Sequence, residues 1–466
     1  MKRYHRAFLG LGLMFGMYRL RYFVGYDIPL GYDPGMYKGI FVVWQHILSQ
    51  GNLSLLPGWV RHEPLLGVLM GALGNIGFSF DWLLTWGIGI LSLLPGIIIF
   101  LLFRKQNLRI AILSAVFYWV SITQYEVFWR GYLKQIMGVS LMLGVLRAWE
   151  HKLPLWQGIF FFVIIILHKH TALYTGAILA SMICIDMWKN KHIPWKYIGI
   201  FILAGILGLV AYLPFWNNIF PEAIKAAQTT FAGTGTGGDF LTRFLYFKYQ
   251  WLVVLCSLRG FWKTIRAHKR DVRTIGYIVG GIWLVLGLVN FNRTLVFWDI
   301  FVCIMAARGI LEILSSFGLK SKIGVLGVFC LITGVGYILH ITTTAQPLIS
   351  PDEFTAIKTI STLTESNAII MTTHKNYTPW MMGRSQRDYI NPGMADLDTW
   401  NHATRIQRWA STNNQKCTML ESSYKHLNRP LYIWQGSQQA SENISGENCF
   451  HLYATGTSRQ MRNVKF

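Results

Sequence analysis

Ionisable side chains at the ends of apolar segments are the first residues in this sequence that could do chemistry. Charged groups within or at the edge of a bilayer are costly, so they mark substrate sites by default. In the topology that the basic clusters predict, nearly all of them map to one side, the external mouth of a helical bundle. They are Asp27, Asp33, Glu63, Glu126, Arg130, Lys134, His168, Lys169, His170, Arg293 and Asp299.

Asp33 comes directly before Pro34, a residue that favours the first turn of a helix. In the segment Gly-Tyr-Asp-Pro-Gly-Met-Tyr-Lys, Asp33 would be the N-cap of that helix. Tyr37 would follow one turn later on the same face. Two interpretations stay open: a plain helix cap, or an exposed carboxylate, fixed just after the first apolar segment, that serves as a general base.

His168 and His170 form a His-x-His pair beside an apolar segment. Two histidines are weak evidence for a metal site because zinc takes three or four protein ligands. The sequence supplies no third ligand nearby, so we predict no metal and no cofactor. Hydrogen bonding to a phosphate or sugar and a plain interfacial role both stay open for the pair.

The composition indicates a membrane protein rather than a soluble enzyme. Of the 466 residues, 53% are hydrophobic and 14% are charged, whereas soluble chains carry roughly 25% charged residues. The net charge of +22 would suit a nucleic-acid partner, but 31 of the 43 basic residues precede residue 345, and most of these lie at the ends of apolar runs. We therefore predict a lipid bilayer as partner and no nucleic acid.

Basic clusters predict the topology, because Lys and Arg accumulate on the cytoplasmic side of spans. Lys2, Arg3 and Arg6 precede an apolar run without a cleavage site, which predicts an uncleaved first span and a cytoplasmic N-terminus. Placing the later clusters in the cytoplasm gives eleven spans and an extracytoplasmic C-terminus. The compact loops favour a bacterial plasma membrane, the inner membrane. The spans run approximately over 7–24, 82–103, 110–123, 135–149, 155–168, 171–187, 197–214, 246–262, 275–290, 295–314 and 323–341.

Residues 25–80 are predicted to form one long external loop. A helix is expected near 34–48, and the apolar segment 64–78 is too short and too rich in glycine for an ordinary span. We expect a shallow or re-entrant segment there. Such backbone is tolerated only where protein or a water-filled cavity covers it, so this loop is expected to form part of a site.

Residues 345–466 differ from the rest in composition and predict a small α/β domain outside the membrane. A helix over 351–364 with Ser350 as N-cap is followed by strand-like segments at 368–372 and near Tyr389. An oxidising compartment would permit a disulfide between Cys417 and Cys449.

These motifs resemble the polytopic GT-C glycosyltransferases, which include protein O-mannosyltransferases and the aminoarabinose transferases of lipid A. Members share an acidic residue in a long first external loop, in an Asp-x-x-x-Tyr-like setting that Asp33 and Tyr37 match. Residues 62–66 resemble the Pro-Pro-Leu region that ends this loop, with Glu63 in place of the first proline. Residues 124–135, 168–172 and 292–294 resemble later external motifs of the family.

The resemblance implies an all-α polytopic membrane bundle over 1–344, with a catalytic role, and an extracytoplasmic domain over 345–466. It implies an inverting glycosyltransferase that moves a sugar from a polyprenyl-phosphate donor to a hydroxyl of a glycan, lipid or protein. Asp33 would be the general base, and Glu126 would orient the acceptor or position Arg130. The residues expected to bind the donor phosphate or substrate are Tyr37, Arg130, Lys134, His168, His170 and Arg293.

Two alternatives stay open. A glycan polymerase or ligase of the cell envelope would depend on His168 and Arg293 more than on a first-loop carboxylate. A transporter or flippase for a lipid-linked substrate would predict paired charges at the bilayer midplane and repeat symmetry between halves. The sequence shows neither of these last two features.

Overall fold

The structure is a computed structural model of the chain, and its described residues form two compact units. One unit comprises residues 1–24, 62–66 and 86–346, and the other comprises 25–61, 67–85 and 347–466. The structure describes residues 2–52, 64–191, 193–215, 243–267, 271–286, 291–318, 329, 332–334, 336–337, 339–340, 347–372, 377–390, 416–436, 450–456 and 459–464.

The first unit is a bundle of α-helices whose ends carry the expected start signals. Asn107 accepts hydrogen bonds from the backbone N–H groups of Arg109 and Ile110, at 3.0 and 3.2 Å, and so begins the next helix. Pro154 begins another. The helices of this unit are Lys2–Leu20, Ile88–Leu91, Leu94–Phe103, Leu108–Val120, Ile122–Trp129, Leu133–Glu150, Pro154–Leu167, Lys169–Asn190, Trp195–Tyr212, Arg243–Arg266, Val272–Leu286 and Phe291–Ser315, with 3₁₀ turns at Arg21–Phe23 and Leu213–Phe215.

Several helical stretches of the chain are apolar and long enough to cross a membrane. Within the described residues, four meet both criteria: Lys169–Asn190, Trp195–Tyr212, Arg293–Ser315 and the run Phe80–Phe103, in which successive short helical segments are counted as one stretch. A fifth candidate is the pair Leu108–Val120 and Ile122–Trp129, which is bent by 52°. Most residues of the last predicted span, 323–341, lie outside the described part. The count of eleven spans and the sides of the termini stay predictions.

The helix Phe291–Ser315 is the central element of the first unit, and nearly all residues of its apolar stretch are buried. It packs closely against the helix Arg243–Arg266. A Cβ placed on Gly260 would lie 2.9 Å from the backbone nitrogen of Gly309. Small residues at such a crossing let the two backbones approach, as in other membrane helix pairs.

The second unit contains a five-stranded sheet in the order β2-β1-β3-β5-β4. Strand β1 is parallel to β2 and β3, and β5 is antiparallel to β3 and β4. The strands are β1 (Ile369–Met371), β2 (Asp388–Ile390), β3 (Leu431–Gln435), β4 (Phe450–Gly456) and β5 (Arg459–Val464). The helices are Asp33–Gln50, Phe80–Trp82, Pro351–Leu363, Thr378–Arg384 and Lys416–Tyr424, with a 3₁₀ turn at Lys425–Leu427, while Pro64–Asn75 has residues in both units.

The helix predicted over 351–364 is present as Pro351–Leu363, with Ser350 as its N-cap. The Ser350 side chain accepts from the backbone of Glu353 at 3.2 Å, and the Glu353 carboxylate accepts from the backbone of Ser350 at 2.9 Å. This capping box satisfies two backbone donors that no helical bond could reach. Strands β1 and β2 lie where the sequence predicted them, because their apolar runs are buried against this helix and the sheet.

Much of the predicted first external loop packs with residues 347–466 in the second unit, although the sequence prediction grouped it with residues 1–344. Within this unit, the Tyr26 hydroxyl donates to the backbone oxygen of Ile349 at 2.6 Å. The segment 64–78 forms the short helix Pro64–Asn75. Cys417 is disulfide-bonded, and its predicted partner, Cys449, lies outside the described residues.

Candidate functional site

Asp33 is the first residue of the helix Asp33–Gln50, so the prediction that it caps this helix is wrong by one position. Tyr32 is the N-cap residue and makes no capping bond with its side chain. Asp33 still lies in the first turn, where the helix dipole favours negative charge, and its side chain is partly exposed. Burial, with a smaller contribution from the Asp33 charge, raises the pKa of Tyr32 to about 12.

Tyr37 lies one turn after Asp33, as the spacing predicts, but it is buried. It is 3% exposed, and its ring stacks on Phe41 with centroids 6.0 Å apart. Phe41 belongs to the same helix, so this is a contact between successive turns. The role of Tyr37 in binding substrate stays a prediction.

Glu126, in the first unit, is 2% exposed and bonded through both carboxylate oxygens. One oxygen accepts from Nε of Arg130 at 3.0 Å, and the other lies 2.8 Å from Nε2 of His340. Arg130 ends the helix Ile122–Trp129 and is partly exposed, so Glu126 holds one side of a guanidinium that reaches a surface. His340, which is 1% exposed, was missed in the sequence.

His168 and Arg293 are brought together across 125 residues of chain. Nη1 of Arg293 lies 3.3 Å from Nε2 of His168, and Nδ1 of the same imidazole lies 2.7 Å from Oγ1 of Thr171. The guanidinium also lies 5.8 Å from the ring centre of Tyr132. The ring of His170 is T-shaped to that of His168, with centroids 5.6 Å apart.

Lys134 is partly exposed in the first turn of the helix Leu133–Glu150, two residues after Tyr132. The predicted residues therefore form two groups in the chain. Glu126, Arg130, Lys134 and the His168 cluster belong to the first unit, and Asp33 with Tyr37 belongs to the second.

Asp299 was another candidate, but the structure gives it a packing role. It is fully buried, and its carboxylate accepts from the Ser121 hydroxyl at 2.6 Å, the Gln124 amide at 3.1 Å and the Tyr246 hydroxyl at 3.0 Å. These bonds join three helices around one acceptor. A carboxylate enclosed in this way holds the bundle together and is not available to a substrate.

Sequence comparison finds no known family model and no curated protein that matches the chain. Solved structures do match. The apo oligosaccharyltransferase of Archaeoglobus fulgidus superposes with a TM-score of 0.64 at 10% identity, over 93% of this chain and 70% of that one. ArnT of Cupriavidus metallidurans matches over 99% of this chain and 98% of its own at 11% identity, with TM-scores of 0.56 for the apo state and 0.58 for the complex with undecaprenyl phosphate.

The chain has the GT-C glycosyltransferase fold. This confirms the architectural part of the predicted resemblance, an α-helical membrane bundle. Because the identities are near 10%, the fold match leaves the roles of individual residues to be argued from their own contacts.

The described residues include no group of three His, Cys, Asp or Glu side chains that could hold a metal ion. His62 and Glu63, in the motif predicted to end the first external loop, lie outside the described part. The described site residues offer carboxylates, cations and imidazoles.

Proposed function

We propose that the protein is a membrane glycosyltransferase that uses a polyprenyl-phosphate sugar donor. The observation that carries this proposal is the fold match to ArnT over 99% of the chain, including the ArnT structure with bound undecaprenyl phosphate. The acceptor is a hydroxyl of a glycan, lipid or protein at the outer face of a bacterial inner membrane. The N-terminus is cytoplasmic and residues 345–466 are extracytoplasmic.

The leaving group in this reaction is a lipid phosphate, on which negative charge accumulates as the glycosidic bond breaks. Cations placed beside the phosphate stabilise this charge in the transition state and so lower the barrier to sugar transfer. Arg130, Lys134 and Arg293 serve this role. A guanidinium has five N–H donors, so Arg293 can contact His168 and still donate to phosphate oxygens through its other nitrogens.

Asp33 acts as the general base. It takes the proton of the acceptor hydroxyl while that oxygen bonds to the anomeric carbon, and the bond from this carbon to the phosphate oxygen breaks in the same displacement. The configuration is inverted and the lipid phosphate leaves as an anion. Its first-turn position and partial exposure support this role, because a base must reach the proton that it removes.

Glu126 has a positioning role in this scheme. Its ion pair with Arg130 and its contact with buried His340 leave it 2% exposed, which favours holding Arg130 over orienting the acceptor. His168 positions Arg293 in the same way, and Tyr37 and His170 complete the substrate-binding set.

The decisive experiment compares Asp33→Asn with Asp27→Asn in purified protein. Asp27 is exposed in the same predicted loop and is a matched control. The readout is release of undecaprenyl phosphate from a panel of undecaprenyl-phosphate sugars in the presence of membrane acceptors. Loss of a general base costs roughly 100- to 10,000-fold, so D33N should be inactive while D27N keeps its rate. Equal rates in the two variants would remove Asp33 from the mechanism.

The pairing of His168 with Arg293 also favours a second candidate, a glycan polymerase or ligase of the cell envelope. In that case His168→Ala and Arg293→Gln should abolish glycan chain extension while D33N keeps it. The length of the glycan product on a gel distinguishes chain extension from the transfer of a sugar.

A further inference from the structure

The second unit contains a cleft between the helix Asp33–Gln50 and residues 358–389. Its volume is about 680 Å³, within the range of pockets that enclose small organic ligands. All of its lining residues belong to the second unit. None of them is among the residues proposed above for the donor phosphate, which belong to the first unit.

Positive charge dominates the described lining of this cleft. Four cationic side chains contribute to it: Lys38, Lys358, Arg384 and Arg387. The lining includes one carboxylate, Asp388, which lies 2.6 Å from a guanidinium nitrogen of Arg429 and is thereby neutralised. The cleft therefore presents more positive than negative charge to whatever enters it.

Two of these cations share a single counter-charge. Nζ of Lys38 lies 3.1 Å from one oxygen of Asp81, and Arg384 donates through two nitrogens to the same carboxylate. The Arg384 side chain is 7% exposed, and its Nε is buried with no hydrogen-bond partner among the described atoms. One carboxylate cannot balance two cations, so one unit of charge is left over here.

The surroundings of Lys38 also disfavour its charged form. Burial, followed by the neighbouring charge of Arg384, lowers the pKa of the Lys38 ammonium even though Asp81 opposes this. Arg387 is already satisfied, because its guanidinium donates to the Thr364 hydroxyl and to backbone oxygens of Ser361, Thr364 and Gln386. The unbalanced charge therefore lies with Lys38, Lys358 and Arg384. A bound anion would relieve this crowding.

Apolar and aromatic groups stand beside the cations. Lys38, Val42 and Gln45 lie four and three residues apart and so form one stripe of the helix Asp33–Gln50, whereas Asp33 and Tyr37 lie on another. Phe80 and Tyr389 complete the lining. Aromatic and apolar surface next to cations fits a sugar ring that carries an anionic group.

We propose that this cleft binds a saccharide that carries a phosphate monoester, either free or as the headgroup of a glycolipid. A phosphate monoester approaches a charge of −2 at neutral pH, which matches the unbalanced cations. Taking this ligand as the acceptor rests on the proposed function, and it would make the enzyme selective for phosphorylated acceptors.

Calorimetric titration of the full-length protein in detergent tests the site with glucose 6-phosphate, glucose and dodecyl glucoside 6-phosphate. The variants are Lys38→Gln and Lys358→Gln. The matched control is Lys425→Gln, an exposed lysine of the same unit that pairs with Glu421 and does not line the cleft.

We expect glucose 6-phosphate to bind and glucose not to bind. Lys38→Gln should weaken binding about tenfold, since a charge-assisted bond in a partly buried site is lost. The exposed Lys358→Gln should weaken it about threefold, and Lys425→Gln should change nothing. Tighter binding of the dodecyl compound indicates a glycolipid headgroup, and equal binding indicates a free saccharide phosphate. Equal affinity for glucose and its phosphate, or unchanged affinity in both cleft variants, would overturn the proposal.

The variant D33N separates this proposal from the proposed function. Asp33 does not line the cleft, so D33N should bind glucose 6-phosphate with wild-type affinity while losing transfer. Binding without any transferase activity in the wild type would refute only the function. Transfer that depends on Asp33, without binding in the cleft, would refute only the cleft.

Discussion

Arg293 fixes the tautomer of His168. A guanidinium can only donate, so Nε2 of the imidazole, 3.3 Å from Nη1 of Arg293, must accept. The ring is then neutral and carries its proton on Nδ1, which faces Oγ1 of Thr171 at 2.7 Å. Protonation of the ring would turn Nε2 into a donor that opposes the guanidinium, so the orientation of Arg293 depends on a neutral His168.

We predict that His168→Ala weakens binding of undecaprenyl phosphate about tenfold, the effect of one lost charge-assisted bond. His168→Gln should keep most of the affinity, because an amide oxygen can accept from Arg293. Native mass spectrometry of the purified protein with added undecaprenyl phosphate measures both affinities.

Arg259→Gln is the control for this experiment, because Arg259 is exposed and lies 4.0 Å from Glu312. If H168A binds undecaprenyl phosphate as tightly as R259Q does, the imidazole does not position Arg293. If H168Q binds undecaprenyl phosphate as weakly as H168A does, an acceptor at this position is not what holds Arg293, and the tautomer argument is contradicted.

Glu126 should matter for both stability and lipid binding. Glu126→Gln keeps the shape but removes the charge that pairs with Arg130 and contacts His340. We expect a loss of about 1–3 kcal/mol, the cost of a buried polar group that loses its charged partner, and weaker binding of undecaprenyl phosphate. Thermal unfolding and lipid titration check the two effects. A stability loss with unchanged affinity would assign Glu126 to packing alone.

The sequence predicted local features well because their determinants are adjacent in the chain. The N-cap at Ser350 was predicted from its position directly before Pro351, and the strands near residues 369 and 389 follow from short apolar runs. Asp33 was misplaced by one position, since the sequence does not show where the backbone first becomes helical.

Contacts between distant residues could not be read from the sequence. His340 pairs with Glu126 across 214 residues, and Arg384 meets Asp81 across 303. The criterion that selected His168, an ionisable residue in an apolar segment, would also have selected His340. No comparable signal marks Lys38 or Arg384, because the charged cleft arises only when the first loop packs with residues 347–466.

Asp271 should stabilise the first unit in a pH-dependent way. Burial alone would raise the pKa of Asp271, but Arg273, with Nε at 2.9 Å, and Arg308, with Nη2 at 3.2 Å, outweigh it and hold this pKa below its usual value. A carboxyl with a lowered pKa adds stability above its unfolded pKa of about 4, and this stability is lost as the pH falls through the folded value.

We therefore predict that Asp271→Asn lowers the free energy of unfolding by about 1–3 kcal/mol at neutral pH, and that the difference from wild type shrinks in acid. Glu312→Gln is the control, because its pair with Lys263 is exposed and should contribute little. Thermal unfolding of the wild type, Asp271→Asn and Glu312→Gln across pH measures these differences in stability. A difference that grows towards acid pH would contradict the sign of the argument.

Gly35 permits the helix Asp33–Gln50 to pack closely against the helix Thr378–Arg384. A Cβ at this position would lie 2.6 Å from the backbone carbon of Pro379 and 2.7 Å from its oxygen, and neither backbone atom can move aside cheaply. Gly35→Ala should therefore cost about 1–3 kcal/mol through overpacking and reduce transferase activity, because Asp33 is two residues away. Gly10→Ala, where the added methyl meets nothing within 4 Å, is the matched control and should unfold no earlier than wild type. Equal unfolding midpoints for G35A and G10A would show that the two helices can separate without cost.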